Sequence, residues 1–170
     1  MSIFKSVSHQ QINHLFAQLN DEWMLITAGE PKLFNTMTAS WGGMGILWYK
    51  PVAFIFVRES RYTFEFIENN PYFTLSFLDH NHKNILNYCG KYSGRDKNKI
   101  KETGLKPLTT KHGNVYFEQA SLVIECKKNY HHTIQQQNIL NPEVLKAVYS
   151  NNDYHRMYIG EIVDCLTKEK

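Results

Sequence analysis

Between residues 58 and 63 the chain reads Arg58-Glu59-Ser60-Arg61-Tyr62-Thr63, which gathers two guanidinium groups and two aliphatic hydroxyls in one short string. Arginine meets phosphate oxygens bidentately and Ser and Thr add hydrogen bonds, so the string suits a phosphate monoester. Its position helps: Thr63 offers an N-cap and Glu65 sits in the first turn of an expected helix, where free backbone N–H groups and the helix dipole attract an anion. A plainer arrangement uses the same residues, with Arg58 and Arg61 paired to Glu59 and Glu65 on the surface. Ser93-Gly94-Arg95-Asp96-Lys97 repeats the theme with a hydroxyl, a flexible Gly and two cations. It either adds phosphate contacts or is a solvated basic loop. A third string, Asn35-Thr36-Met37-Thr38-Ala39-Ser40-Trp41, sets Thr36, Thr38 and Ser40 on one face of a strand and Met37, Ala39 and Trp41 on the other. Such a hydroxyl stripe, closed by Gly42-Gly43, fits the polar edge of a flat heterocycle; it also fits an ordinary solvent-facing strand.

Other chemistries find little to work with. No Gly-x-Ser-x-Gly elbow, Walker loop or Gly-x-Gly-x-x-Gly fingerprint is present, and no carboxylate pair has a spacing that argues glycosidase chemistry. His80-x-His82 and His131-His132 lack the Cys or carboxylate partners of a metal site. Cys89, Cys126 and Cys165 are far apart and odd in number, which reads as reduced, buried thiols. The formal net charge of +3 is too small to imply nucleic acid or an anionic membrane as partner. The longest wholly apolar run, Val52 to Val57, is far shorter than the roughly 20 residues of a membrane span. With no secretory signal in the opening residues, a cytoplasmic protein is expected.

The elements that must position these strings follow from periodicity. At 170 residues the chain is expected to form one domain, 1–170, with its own core. An amphipathic helix is predicted from Ser8 to Asn20, and strands at Trp23 to Ala28, from Asn35 to the Gly42-Gly43 break, and at Val52 to Val57. The last is apolar throughout, as for a central strand covered on both faces. A helix from Thr63 to Asn70-Pro71, a strand at Tyr72 to Leu78 and a helix from Asp79 to Tyr88 ended by Gly90 come next. Asp96 to Thr103 can form a helix, strands resume at Val115 to Phe117, Ala120 to Lys127 and Arg156 to Cys165, and Pro142 opens a helix to Tyr149. Many short strands with few long helices favour a closed or nearly closed antiparallel barrel.

Taken in order, Asn35 to Trp41, Lys50-Pro51-Val52, Val57 to Thr63, Ser93 to Lys97 and Tyr158-Ile159-Gly160-Glu161-Ile162 resemble the flavin reductase-like family of FMN-binding split-barrel proteins, flavoredoxin-type members included. The likeness runs roughly from Trp23 to Asp164. It implies a mainly β fold, an FMN-binding split β-barrel, antiparallel and Greek-key-like, with short flanking helices. It further implies a homodimer with FMN near the subunit interface. The segment Asn35, Thr36, Met37, Thr38, Ala39, Ser40 and Trp41 would run beside the isoalloxazine ring. Arg58, Ser60, Arg61 and Thr63 would hold the phosphate, and Ser93, Arg95 and Lys97 would close over the phosphate and ribityl end. The implied enzyme is an NAD(P)H-dependent flavin reductase, passing hydride from NADH or NADPH to flavin N5 and electrons on to an acceptor, with no obligatory catalytic acid, base or nucleophile. One alternative is a non-catalytic FMN electron carrier reduced by a redox protein. Another is a barrel that binds single-stranded nucleic acid through its aromatics and the basic stretch from Lys91 to Lys106.

Overall fold

The computed structural model describes residues 4–11 and 18–168. Its strands are β1 Phe4–Ser6, β2 Met24–Glu30, β3 Leu33–Ala39, β4 Gly42–Leu47, β5 Lys50–Arg58, β6 Tyr72–Leu78, β7 Pro107–Thr109, β8 Val115–Phe117, β9 Ala120–Thr133 and β10 His155–Lys168. The helices are α1 Tyr62–Asn69, α2 Lys83–Lys91, α3 Lys99–Thr103 and α4 Pro142–Val148. Eight strands form one antiparallel sheet in the order β3-β2-β6-β9-β10-β5-β4, with β1 also on β10, while β7 and β8 make a separate ribbon. The sheet is split-barrel-like and not a ladder closed all round: β3 and β4 are its free edges. Those edges are consecutive in the chain, joined by Ser40 and Trp41 alone.

Two clusters fill the faces. Ile26, Met37, Ile55, Val57, Phe73, Leu75, Ile124 and Tyr158 alternate inward to form the main core. Leu25, Leu86, Cys89, Val115, Phe117 and Val123 form the second, where α2 and β8 cover the other face. Covered on both sides, β2 is apolar nearly throughout and buried to its last residue but one. Each large side chain buried this way contributes about 1.5–3 kcal/mol. All three cysteines are free and buried, and burial pushes the Cys89 and Cys165 thiols up to about 11.

Several expectations are corrected. The strand at Val52 to Val57 exists, but β5 lies next to the edge strand β4, and Phe54 and Phe56 on its outer face stay half-buried. Beside them on β10, Met157 and Ile159 are equally uncovered. Gly42-Gly43 does not merely break a strand; it begins β4, whose two-residue turn into β5 is Trp48-Tyr49, both with positive φ. Such a turn matches the twist of a hairpin and normally selects Asn or Gly, so two aromatics there are locally strained. Thr63 is not a cap: α1 starts at Tyr62 after Arg61, and it stops at Asn70, which is held extended before Pro71. Past Gly90, α2 continues to Lys91 after a 3₁₀ turn at His80–His82. Only Lys99–Thr103 of the expected helix from Asp96 forms, capped by Asn98 and closed by left-handed Gly104. Residues 12–17 of the helix expected from Ser8 to Asn20 lie outside the described residues; the flanks are a 3₁₀ turn at His9–Gln11 and a π-helical turn at Gln18–Glu22. No helix among the described residues is long and apolar enough to cross a membrane.

Candidate functional site

Three adjoining cavities lie beside β3. The first, about 350 Å³, is walled by Met37 to Trp41 on one side and by Phe56, Arg58, Arg61 and His155 on the other. Met37 and Arg61 also line a narrow middle cavity of about 100 Å³, where Asn35, Ser60, Thr63, Ser93 and Lys99 converge. Asn35 and Lys99 in turn line an outer cleft of about 580 Å³ with Lys32, Leu33, Arg95 and Lys97. The local folds explain the convergence. The β5 strand delivers Arg58 to its end, the turn to α1 carries Ser60 and Arg61, and the segment after α2 folds back over β3. That return depends on Gly94, because a Cβ there would stand 2.1 Å from Asn35 Oδ1.

The hydroxyl stripe is used differently from the expectation. Thr36 Oγ1 accepts from Thr27 Oγ1 at 2.9 Å and donates to the Ile26 carbonyl at 3.2 Å, so its hydroxyl faces the neighbouring strand. Thr38 Oγ1 donates to the Leu86 carbonyl at 2.5 Å, tying β3 to α2. Ser40 remains half-buried at the cavity, and Trp41 stands at its mouth with its ring 5.0 Å from that of His155. Met37, Thr38 and Ala39 of β3 line the first cavity with Ser40 and Trp41 after them, and Thr36 does not.

The cations divide sharply. Glu59 and Glu65, the surface partners open to Arg58 and Arg61, bind others: Glu59 pairs with Arg156 at 2.8 Å, and Glu65 with Arg95, whose guanidinium lies 4.6 Å over the Tyr62 ring. Arg58 instead meets Asp153 at 3.4 Å and the Val148 carbonyl at 3.1 Å, and Ser60 Oγ donates to the same Asp153 at 2.7 Å. Arg61 donates only to the Gly90 carbonyl, at 2.8 Å, and meets no carboxylate among the described residues. Thr63 is buried and accepts from the Asn35 amide at 2.8 Å. Ser93 reaches the middle cavity and its hydroxyl accepts from the Arg95 backbone N–H at 3.2 Å. Arg95 and Lys97 face the outer cleft together with Asn35 and Thr36, while Arg58, Ser60, Arg61 and Thr63 line the other two cavities.

Lys99, which sequence reasoning did not single out, sits 5% exposed on the floor between the middle cavity and the outer cleft. It donates to the Thr36 carbonyl at 2.7 Å and the Cys89 carbonyl at 3.0 Å, and no carboxylate among the described residues neutralises it. Burial, helped by the Arg61 charge, lowers its pKa to about 8. Burial and then Arg58 likewise lower that of Arg61. Desolvation weighs on both cations, and the Arg61 charge adds to it at Lys99, so an anion placed beside them would relieve it. His155, whose place the sequence leaves open, is 8% exposed with Nδ1 3.0 Å from the Tyr149 hydroxyl. Burial and the Arg58 charge bring its pKa down to about 4, so it is neutral at ordinary pH. Tyr130 lies elsewhere, against Trp48 on the outer face.

Comparison with known proteins gives the family and the fold. A model of the family described as flavin reductase like domain matches residues 16–170. An FMN-binding domain of a flavin reductases-like enzyme from Shewanella baltica OS155 superposes with a TM-score of 0.71 at 17% identity, over 98% of this chain and 78% of that one. Flavoredoxin of Desulfovibrio vulgaris (Miyazaki F) gives 0.65 at 23% identity, over 87% and 69%. An NADH:FAD oxidoreductase from Streptomyces globisporus C-1027, solved with NAD and FAD fragments, gives 0.64 at 14% identity, over 87% and 77%. No curated protein sequence matches.

Proposed function

Because the chain belongs to the flavin reductase-like family, we propose that the groove along its split binds FMN and that the protein is an oxidoreductase taking hydride from NADH or NADPH and passing electrons to an acceptor. The observation that carries this reading is buried Lys99 and half-buried Arg61, neither of them ion-paired to a carboxylate among the described residues, set at the end of a groove whose other wall is Met37 to Trp41. A phosphate monoester fits between them, with Ser60, Ser93 and the Asn35–Thr63 pair at hand for hydrogen bonds. When bound, the flavin supplies the two-electron chemistry. The chain's own groups hold and orient it. Arg61 and Lys99 fix the phosphate end, and the backbone from Met37 to Ser40 offers its polar groups to the ring edge. Trp41 and Phe56 wall the mouth against water, and neutral His155, steadied by Tyr149, adds no charge beside the ring. We also infer that two chains associate through the uncovered Phe54, Phe56, Met157 and Ile159 face, which reaches the groove at Phe56.

Fluorescence titration of the apo-protein with FMN, using riboflavin as control, tests the cofactor and its phosphate site together. Saturation near one FMN per chain, tighter than riboflavin, is expected. Arg61→Ala should then weaken FMN by about tenfold or more, the effect of losing a charge-assisted contact, and leave riboflavin nearly unchanged. Equal losses for both ligands would move the phosphate elsewhere. Bleaching of the bound flavin by NADH or NADPH tests the donor; reduction only by another redox protein would make the chain a carrier.

A further inference from the structure

Strands β9 and β10 pair along most of their length, yet the chain does not turn tightly between them. Residues 134–154 leave the sheet as one long excursion whose two ends stay pinned: the Ile134 N–H donates to the His155 carbonyl at 2.9 Å, and Thr133 stands opposite Arg156. Connections between paired strands are mostly a few residues long, and the long ones usually carry function. Of these residues only Tyr149 is buried; α4 has no buried residue, and Leu140 is 93% exposed. A segment with so few apolar contacts belongs to the easily opened part of a fold.

Beyond its ends, the excursion is tied to the rest of the described chain by hydrogen bonds to Arg58, Ser60 and His155. All three line the groove, Arg58 and His155 in the first cavity and Ser60 in the middle one. Asp153 is the centre of this clasp. Its Oδ2 accepts from Ser60 Oγ at 2.7 Å and faces Arg58 Nη1 at 3.4 Å. Its charge also acts on Arg61, where it opposes the effect of burial. A carboxylate of the chain itself thus sits on groups that suit an anionic ligand. Ser60 has one O–H to donate, so it serves either Asp153 or a phosphate in the middle cavity, and not both. The Arg58–Asp153 pair is partly exposed, and such pairs are weak enough for a ligand to displace.

We propose that residues 134–154 are a strap latched shut by Asp153, and that the phosphate of a ligand in the groove releases it by taking the Ser60 hydroxyl and repelling the carboxylate. The inference rests on the reading of the groove as an FMN site. Release withdraws Val148 from Arg58 and Tyr149 from His155, two residues of the first cavity's wall. A second substrate therefore meets a different wall once the phosphate end is filled. Linkage makes the effect reciprocal: by whatever factor the phosphate favours the open strap, an opened strap favours the phosphate.

Backbone hydrogen exchange across residues 134–154 and flavin titration at pH 7, in the wild type and in Asp153→Asn, test the strap. FMN, and not riboflavin, is expected to speed exchange in this segment of the wild type. Asp153→Asn should exchange fast without ligand, show no further response to FMN, and bind FMN about three- to tenfold tighter with riboflavin affinity unchanged. Slower or unchanged exchange with FMN bound, or FMN affinity in the variant equal to or below that of the wild type, overturns the strap and leaves the FMN site standing. If neither flavin binds, the flavin reading falls, and inorganic phosphate takes the place of FMN in the same exchange measurement, where the absence of any acceleration overturns the strap as well.

Discussion

Lys99 titrates inside the range of ordinary buffers, and this makes its role measurable. Its pKa of about 8 is depressed by burial, so an unbound site carries the full ammonium charge only below that pH. A phosphate monoester is already a dianion there, its second pKa being about 6. FMN affinity is therefore expected to be flat between about pH 6.5 and pH 8 and to weaken above it by at most tenfold per unit until the raised pKa of the complex is reached, while riboflavin affinity stays level. Lys99→Met should lower FMN affinity at pH 7 and abolish the pH dependence; an unchanged profile in that variant would remove Lys99 from the phosphate site. The sign for the unbound fold is opposite. The unfolded chain binds this proton more tightly than the folded one, so the lysine's unfavourable contribution, complete below pH 8, is relieved as pH rises toward its ordinary value near 10.4. At this scale the sequence was half legible. Arg61, Ser60 and Asn35 declare themselves by type and spacing, whereas Lys99 is one of several lysines in a basic stretch. Only the fold of the loop after α2 decides that it, and not Lys97, is the one buried.

Strand β10 shows what a single position in an element can demand. At Gly160, where the ladder with β9 shifts register, an added Cβ would come 2.7 Å from Cys126 Cβ and 2.8 Å from the Phe73 ring. Gly160→Ala should cost about 1–3 kcal/mol through overpacking, read as a lower denaturation midpoint with an unchanged denaturant slope. Wild-type stability in that variant would show that the strand can shift to make room. Apolar elements such as β2, β5 and β6 were legible because burial imposes a period. The second half of β9, Lys128 to Thr133, was not: it is polar and mostly exposed, and its partner in the ladder is β10. Gly-rich β4 escaped for a similar reason, its partner β5 supplying the order that its own residues do not.

At the level of the whole molecule, β5 reads as covered on both faces, yet one chain covers only the inner one. Phe54 and Ile159 lie opposite each other on the outer face, with Tyr130 next across β10. Sedimentation at micromolar concentration is expected to give the mass of two chains, and Ile159→Asp to shift it toward one; a single-chain mass at all concentrations would leave the patch for another partner. The split itself bears on how this scaffold can change. Its two free edges are joined by Ser40 and Trp41 alone, so no rung of the ladder spans the groove. No strand pairing bridges the groove there, and side chains of β3, β5, β10 and the turn before α1 wall it. Substitutions at those two linking residues can retailor what the channel admits while every paired strand keeps its register, which separates the evolution of ligand choice from the upkeep of the barrel.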